Sequence, residues 1–122
     1  MKIEKSVEKL SYSELKGLLI EFYNLICEEK TNIDFNKLNE IHKQTIAIRA
    51  FDLVSIAMSL IGYTQLKKEP DRYYKALCTL NDAKYLATSC GSDLAIKINL
   101  HILAIIEFIE KNYNIFQLLF LD

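Results

Sequence analysis

The chain has 122 residues, enough for one domain with a sizeable core and no need of disulfides or metals. Hydrophobic residues make up 51% and charged residues 25%, which excludes intrinsic disorder. Net charge is −1, so the balance carries no electrostatic footprint for nucleic acid or an anionic membrane surface.

The N-terminal stretch "MKIEKSVEKL" alternates charges with single apolar residues and has no apolar core segment, so no secretory signal is expected there. Ser11 and Glu14 form a capping box, in which the serine hydroxyl accepts the N3 amide and the glutamate reaches back to the cap. Leu15, Leu18, Leu19, Phe22 and Ile26 follow at helical spacing, which predicts a first helix ending near Glu29. Asp34 is a good N-cap for a second helix from about Phe35, with Leu38, Ile41, Thr45 and Ile48 on its face. From Ile46 to Tyr63 the sequence is apolar almost all round, so this helix is expected to be covered on more than one side. With no break before Gly62 it approaches thirty residues, and Gly62 is expected to end or kink it.

Glu69-Pro70 marks the next boundary, because the residue before proline resists the helical region. A third helix runs to about Cys90, where Gly91 is a natural left-handed stop and Ser92 a cap for its successor. The fourth spans about Asp93 to Lys111, with Asn112 as its end, and a short C-terminal helix follows. Its stretch Leu94 to Ile109 carries Lys97, Asn99, His101 and Glu107, too polar for a membrane span. The expected fold is therefore all-α over residues 1–122, either an antiparallel four- to five-helix bundle or a short stack of helical hairpins.

Within the third helix Ala76, Leu80, Ala83 and Ala87 lie at spacings of 4, 3 and 4, so one face is unusually thin and admits a close neighbour. The helix before it carries Ile61-Gly62 and the one after it Leu103-Ala104, while Tyr73 and Tyr113 stand a little upstream of second-helix positions. From about Leu60 onward this resembles tetratricopeptide-type repeats, with Cys90-Gly91 in place of the family's proline and Glu107 where an aromatic is usual. The resemblance implies a protein-binding scaffold and not an enzyme. Any antiparallel hairpin with alanines at its crossing would show the same spacing.

Nothing in the chain has the spacing of a cofactor or metal site. His42 and His101 are distant, and Cys27, Cys78 and Cys90 form no Cys-x-x-Cys pair. Both histidines are expected to be partly buried structural residues, and the cysteines to be free thiols in a reducing cytoplasm. Neither Arg49 nor Arg72 is followed by a histidine at the spacing of a helical ribonuclease site. Tyr73, Tyr74 and Tyr85 offer an aromatic ledge, with Tyr74, Cys78 and Tyr85 on one flank; partly buried core is the commoner fate of such tyrosines. The tail "IFQLLFLD" has more apolar residues than one helix face takes, and Phe116 with Phe120 falls outside the row of Ile115, Leu118 and Leu119. The candidate partner-binding residues are therefore Phe116, Phe120, Tyr74 and Tyr85. The partner is another protein or a second copy of the chain, as a homodimer. The functional expectation is a non-catalytic cytoplasmic interaction module; the alternative is a small immunity-type or phage-type antagonist with a helical-bundle fold.

Overall fold

The computed structural model describes residues 9–30, 33–69 and 73–120, with the side chains of residues 110 and 112–120 outside the description. The described chain is all-helical: α1 (Tyr12–Cys27), α2 (Phe35–Ala47), α3 (Phe51–Lys68), α4 (Tyr73–Cys90) and α5 (Asp93–Phe120).

The starts of α1, α2 and α5 are the ones the cap chemistry dictates. Ser11 Oγ accepts the Glu14 amide at 3.2 Å while Glu14 Oε1 accepts the Ser11 amide at 2.9 Å. Asp34 Oδ1 accepts the Lys37 amide at 3.0 Å, and Ser92 Oγ accepts the Ala95 amide at 3.1 Å. Each bond satisfies an amide that the first helical turn would otherwise leave without a partner.

The ends differ more from expectation. Residues Phe35 to Tyr63 do not form one helix: the chain breaks at Ile48-Arg49-Ala50, giving α2 and α3. Arg49 takes a left-handed conformation, φ 56°. Its amide donates to Ile46 O and that of Ala50 to Thr45 O, a complete Schellman closure. Glu29 (φ 59°) ends α1 the same way, with Lys30 N donating to Leu25 O, and Gly91 (φ 70°) ends α4, with Ser92 N donating to Ala87 O. Two of the three left-handed stops are thus non-glycine, at a conformational cost of about 1–2 kcal/mol each. The break leaves Ile48 exposed instead of on the α2 face, where Leu38, Ile41 and Thr45 are buried. The expected stop at Asn112 is also absent, and α5 runs unbroken to Phe120. No Gly or Pro lies between 112 and 120, and asparagine alone is a weak helix breaker. The fifth helix therefore comes from the α2–α3 break and not from a separate C-terminal segment. Pro70 lies outside the described residues.

Gly62 neither ends nor kinks α3. It sits in the middle of the α3–α4 crossing, where an added Cβ would lie 3.1 Å from Leu80 Cγ and 3.3 Å from the Ala76 carbonyl oxygen. Ser55 Oγ donates to Ala83 O at 2.7 Å in the same seam. Ala76, Leu80, Ala83 and Ala87 are all buried. The thin face of α4 therefore exists to bring its backbone against the row Ser55, Ser59 and Gly62 of α3.

α3 is the centre of the molecule and packs against each of the other four helices. Leu53, Val54, Ile56, Ala57, Leu60, Ile61, Tyr63 and Leu66 are buried around its whole circumference. Pairwise contacts fix the directions. Gln44 Oε1 takes the Leu10 amide, which sets the start of α1 beside the end of α2. Lys68 Nζ lies 5.0 Å from the centre of the Phe35 ring, so α2 and α3 are antiparallel. The Tyr12 hydroxyl bonds Asp52, so α1 and α3 start at the same end. Beyond the sequential neighbours, the substantial pairings are α1 with α3 and α3 with α5. The odd-numbered helices therefore stand side by side, with α2 against the first pair and α4 against the second.

Asn99 of α5 is buried where α3, α4 and α5 meet. Its Nδ2 donates to Ser59 Oγ at 2.9 Å and to Leu80 O at 3.0 Å. A backbone carbonyl accepts and cannot donate, so the amide orientation is fixed by Leu80. Oδ1 of Asn99 is buried without a hydrogen-bond partner.

Candidate functional site

The three odd-numbered helices enclose an open groove of about 730 Å³. The end of α1 supplies Ile26, Cys27, Glu29 and Lys30; α3 supplies Tyr63 and Lys67; α5 supplies the rest, from His101 to Ile109. Ile26, Ile105, Phe108 and Ile109 make its surface largely apolar, and Glu29, Lys30 and Lys67 bring charges of both signs. The left-handed stop at Glu29 matters here: by ending α1 it brings Glu29 and Lys30 to the groove in place of another helical turn.

On the α1–α5 side the Tyr23 hydroxyl pairs with Nδ1 of His101, and the two rings meet edge to face at 5.6 Å. Burial and the neighbouring Cys27 thiol raise the Tyr23 pKa to about 12, so the phenol stays protonated. Burial, and then the charge of Glu29, raises that of Tyr63. His101 is exposed, not partly buried as its place on an apolar helix predicts. It stands on the flank of α5 that turns toward α1 instead of the core. His42 is half-buried as expected, and burial lowers its pKa.

Cys27, Cys78 and Cys90 are free and exposed. Among the described residues no three His, Cys, Asp or Glu side chains come together as a metal site would need, and no described helix is long and apolar enough to cross a membrane. With one nitrogen of His101 engaged by Tyr23, the groove offers a mostly apolar surface and one histidine–phenol pair.

The sequence-derived candidates fall elsewhere. Tyr74 and Tyr85 lie on the outer surface of α4, 82% and 77% exposed, so neither is a core tyrosine. The ring of Tyr74 meets only its neighbour Tyr73, edge to face at 5.9 Å, among the described ring pairs. Both tyrosines are remote from the groove, whose lining includes no α4 residue. The side chains of Phe116 and Phe120 lie outside the described residues. The groove itself went unread in the sequence because three distant segments build it. Its one local signal is the run Ile105, Phe108, Ile109, more apolar than a half-covered helix requires.

Compared with protein-family models, with curated proteins and with solved structures, the chain matches none.

Proposed function

We propose that the protein is a non-catalytic interaction module that receives an apolar polypeptide segment in the groove between α1, α3 and α5. The observation that carries this reading is the groove itself. It is partly open to solvent, lined by Ile26, Ile105, Phe108 and Ile109, and bordered by charges of both signs that suit a polypeptide better than a small molecule. Phe108 is 66% exposed beside it, and large exposed apolar side chains grouped on one face mark interaction surfaces.

The arrangement of helices supports a hairpin stack similar to tetratricopeptide-type repeats. Each helix packs on its sequence neighbour, and the odd helices pack on one another, which is how stacked hairpins share a core. Gly62, the small member of the Ile61-Gly62 pair on which the resemblance rests, faces Leu80 and Ala76 of α4.

The test compares affinity capture by the wild-type chain and by a Cys27→Arg variant, which places a bulky cation in the groove at an exposed position. A partner held by the wild type and lost by the variant, with the helical circular-dichroism signal intact, is the expected result. Equal capture by both chains would sink the reading.

A further inference from the structure

Cys27, Tyr23 and His101 form a chain of three titratable groups beside the groove. Tyr23 and Cys27 are one turn apart on α1, and the thiol lies within hydrogen-bond reach of the phenol. The same phenol pairs with Nδ1 of His101 on α5. Cys27 and His101 both line the groove, and Tyr23 links them. All three cysteines are free and exposed, yet only Cys27 stands here. Cys78 and Cys90 belong to α4, which lends the groove no residue.

The surface next to this thiol is apolar. Ile26, Ala104, Ile105, Phe108 and Ile109 line it, and the stretch from His101 to Ile109 runs about 12 Å along α5. A volume of about 730 Å³ is in the range that holds whole small-molecule ligands. A thiol on such a surface reacts preferentially with a reagent that the surface binds first, because binding raises the reagent's effective concentration at the sulfur. That reagent must join a long apolar chain to a carbon that thiols attack. We infer that Cys27 is an S-acylation site: it takes a long-chain fatty acyl group from a thioester, and the acyl chain lies in the groove between α1, α3 and α5. Lys30 and Lys67, against the single carboxylate of Glu29, suit a donor with an anionic head, as coenzyme A thioesters have.

The transfer balances with the groups present. The Cys27 sulfur attacks the thioester carbonyl carbon; a new carbon–sulfur bond forms there, and the bond from that carbon to the donor sulfur breaks. The thiol proton passes to the Tyr23 oxygen as the Tyr23 proton passes to Nδ1 of His101, and the imidazolium returns a proton to the released thiolate. Tyr23 can serve as the bridge because its phenol stays protonated. No oxidant or reductant is consumed. The protein is modified once and turns nothing over. Because the acyl chain fills the space of the polypeptide, the modification closes the groove to its partner. The transfer rests on the groove's geometry alone; the closing of the groove rests on the polypeptide reading above.

The experiment treats the full wild-type chain with palmitoyl-coenzyme A and, separately, with acetyl-coenzyme A. Peptide mapping by mass follows the hydroxylamine-labile label at each cysteine. The preference for Cys27 over Cys78 and Cys90 is expected to be at least about tenfold greater with the palmitoyl donor than with the acetyl donor. Ala104→Glu, at an exposed position that lines the groove, should abolish that gain and leave acetylation unchanged. Tyr23→Phe should slow labelling of Cys27 by both donors, since it removes the proton path and not the groove. Three thiols labelled alike by palmitoyl-coenzyme A, no label at all, or a preference independent of acyl length overturns the proposal, and so does a gain that survives Ala104→Glu. Chain acylated at Cys27 is then compared with unmodified chain in affinity capture. Loss of the partner on acylation is the expected result, and a partner kept by the acylated chain overturns the closing of the groove. An unmodified chain that captures nothing sinks the polypeptide reading and leaves the labelling result standing.

Discussion

Gly62 and Gly17 show how little residue type says without its surroundings. Both sit inside helices. A Cβ on Gly17 would meet nothing within 4 Å, whereas one on Gly62 would press on Leu80 Cγ and the Ala76 carbonyl. Gly62→Leu is therefore expected to destabilise the fold by about 1–3 kcal/mol or more through overpacking. Gly17→Ala should stabilise it by about 1 kcal/mol by helix propensity alone. Urea midpoints of the two variants against wild type check the contrast. The alanines of α4 made the thin face legible in the sequence; the glycine opposite them read as a possible helix end, because glycine serves close approach and termination equally well. His42 gives a prediction of a different kind. Burial lowers its pKa in the folded chain below the unfolded value of about 6.5, so the folded state binds fewer protons. Its contribution is present above that pH and is lost as the pH falls through the folded value. Denaturation measured on both sides of about pH 6.5 should show weaker stability on the acid side, and His42→Gln should flatten that slope.

At the scale of elements, starts were easier to read than stops. Ser11 with Glu14, Asp34 and Ser92 announce helices because their side chains do the capping themselves, within three residues. Gly91 announces a stop for the same local reason. Arg49 and Glu29 do not, because nothing in an arginine or glutamate favours the left-handed region; the turn is held there by what lies on both sides. At Arg49 the two Schellman bonds close α2, and the burial of Leu53 and Ile56 immediately beyond draws α3 back antiparallel onto it. Replacing Arg49 by glycine removes a conformational cost of about 1–2 kcal/mol and adds about 0.5–1 kcal/mol of unfolded-chain entropy, so Arg49→Gly should stabilise the protein by about 0.5–1 kcal/mol in chemical denaturation. A destabilised variant would mean that the guanidinium makes a contact worth more than the strain. The groove shares this illegibility. Its walls come from residues 26–30, 63–67 and 101–109, and only the turn at Arg49, which places α3 alongside α1, brings the first two together.

Over the whole molecule, cohesion is apolar and close-range, centred on α3. The three cysteines are free and exposed, so neither reductant nor chelator should move the melting temperature of the freshly prepared chain; a drop of several degrees with EDTA would reveal a metal that bridges copies. An apolar core of this kind is tolerant of sliding, since one leucine packs much like another. Asn99 is not tolerant. Its single amide reaches a hydroxyl on α3 and a carbonyl on α4 at once, in a place closed to water. If α4 slipped one turn along α3, about 5.4 Å, the amide could keep one of those partners and would lose the other. A smaller slip likewise draws the Leu80 carbonyl away from the amide while Ser59 stays within its reach. The relative height of three helices is thereby pinned, and one side chain acts as the detent that holds a single notch. A row of alanines and leucines supplies adhesion without saying where along its length the helices should come to rest; the detent supplies that position, and with it the alignment of the three odd helices on which the groove depends.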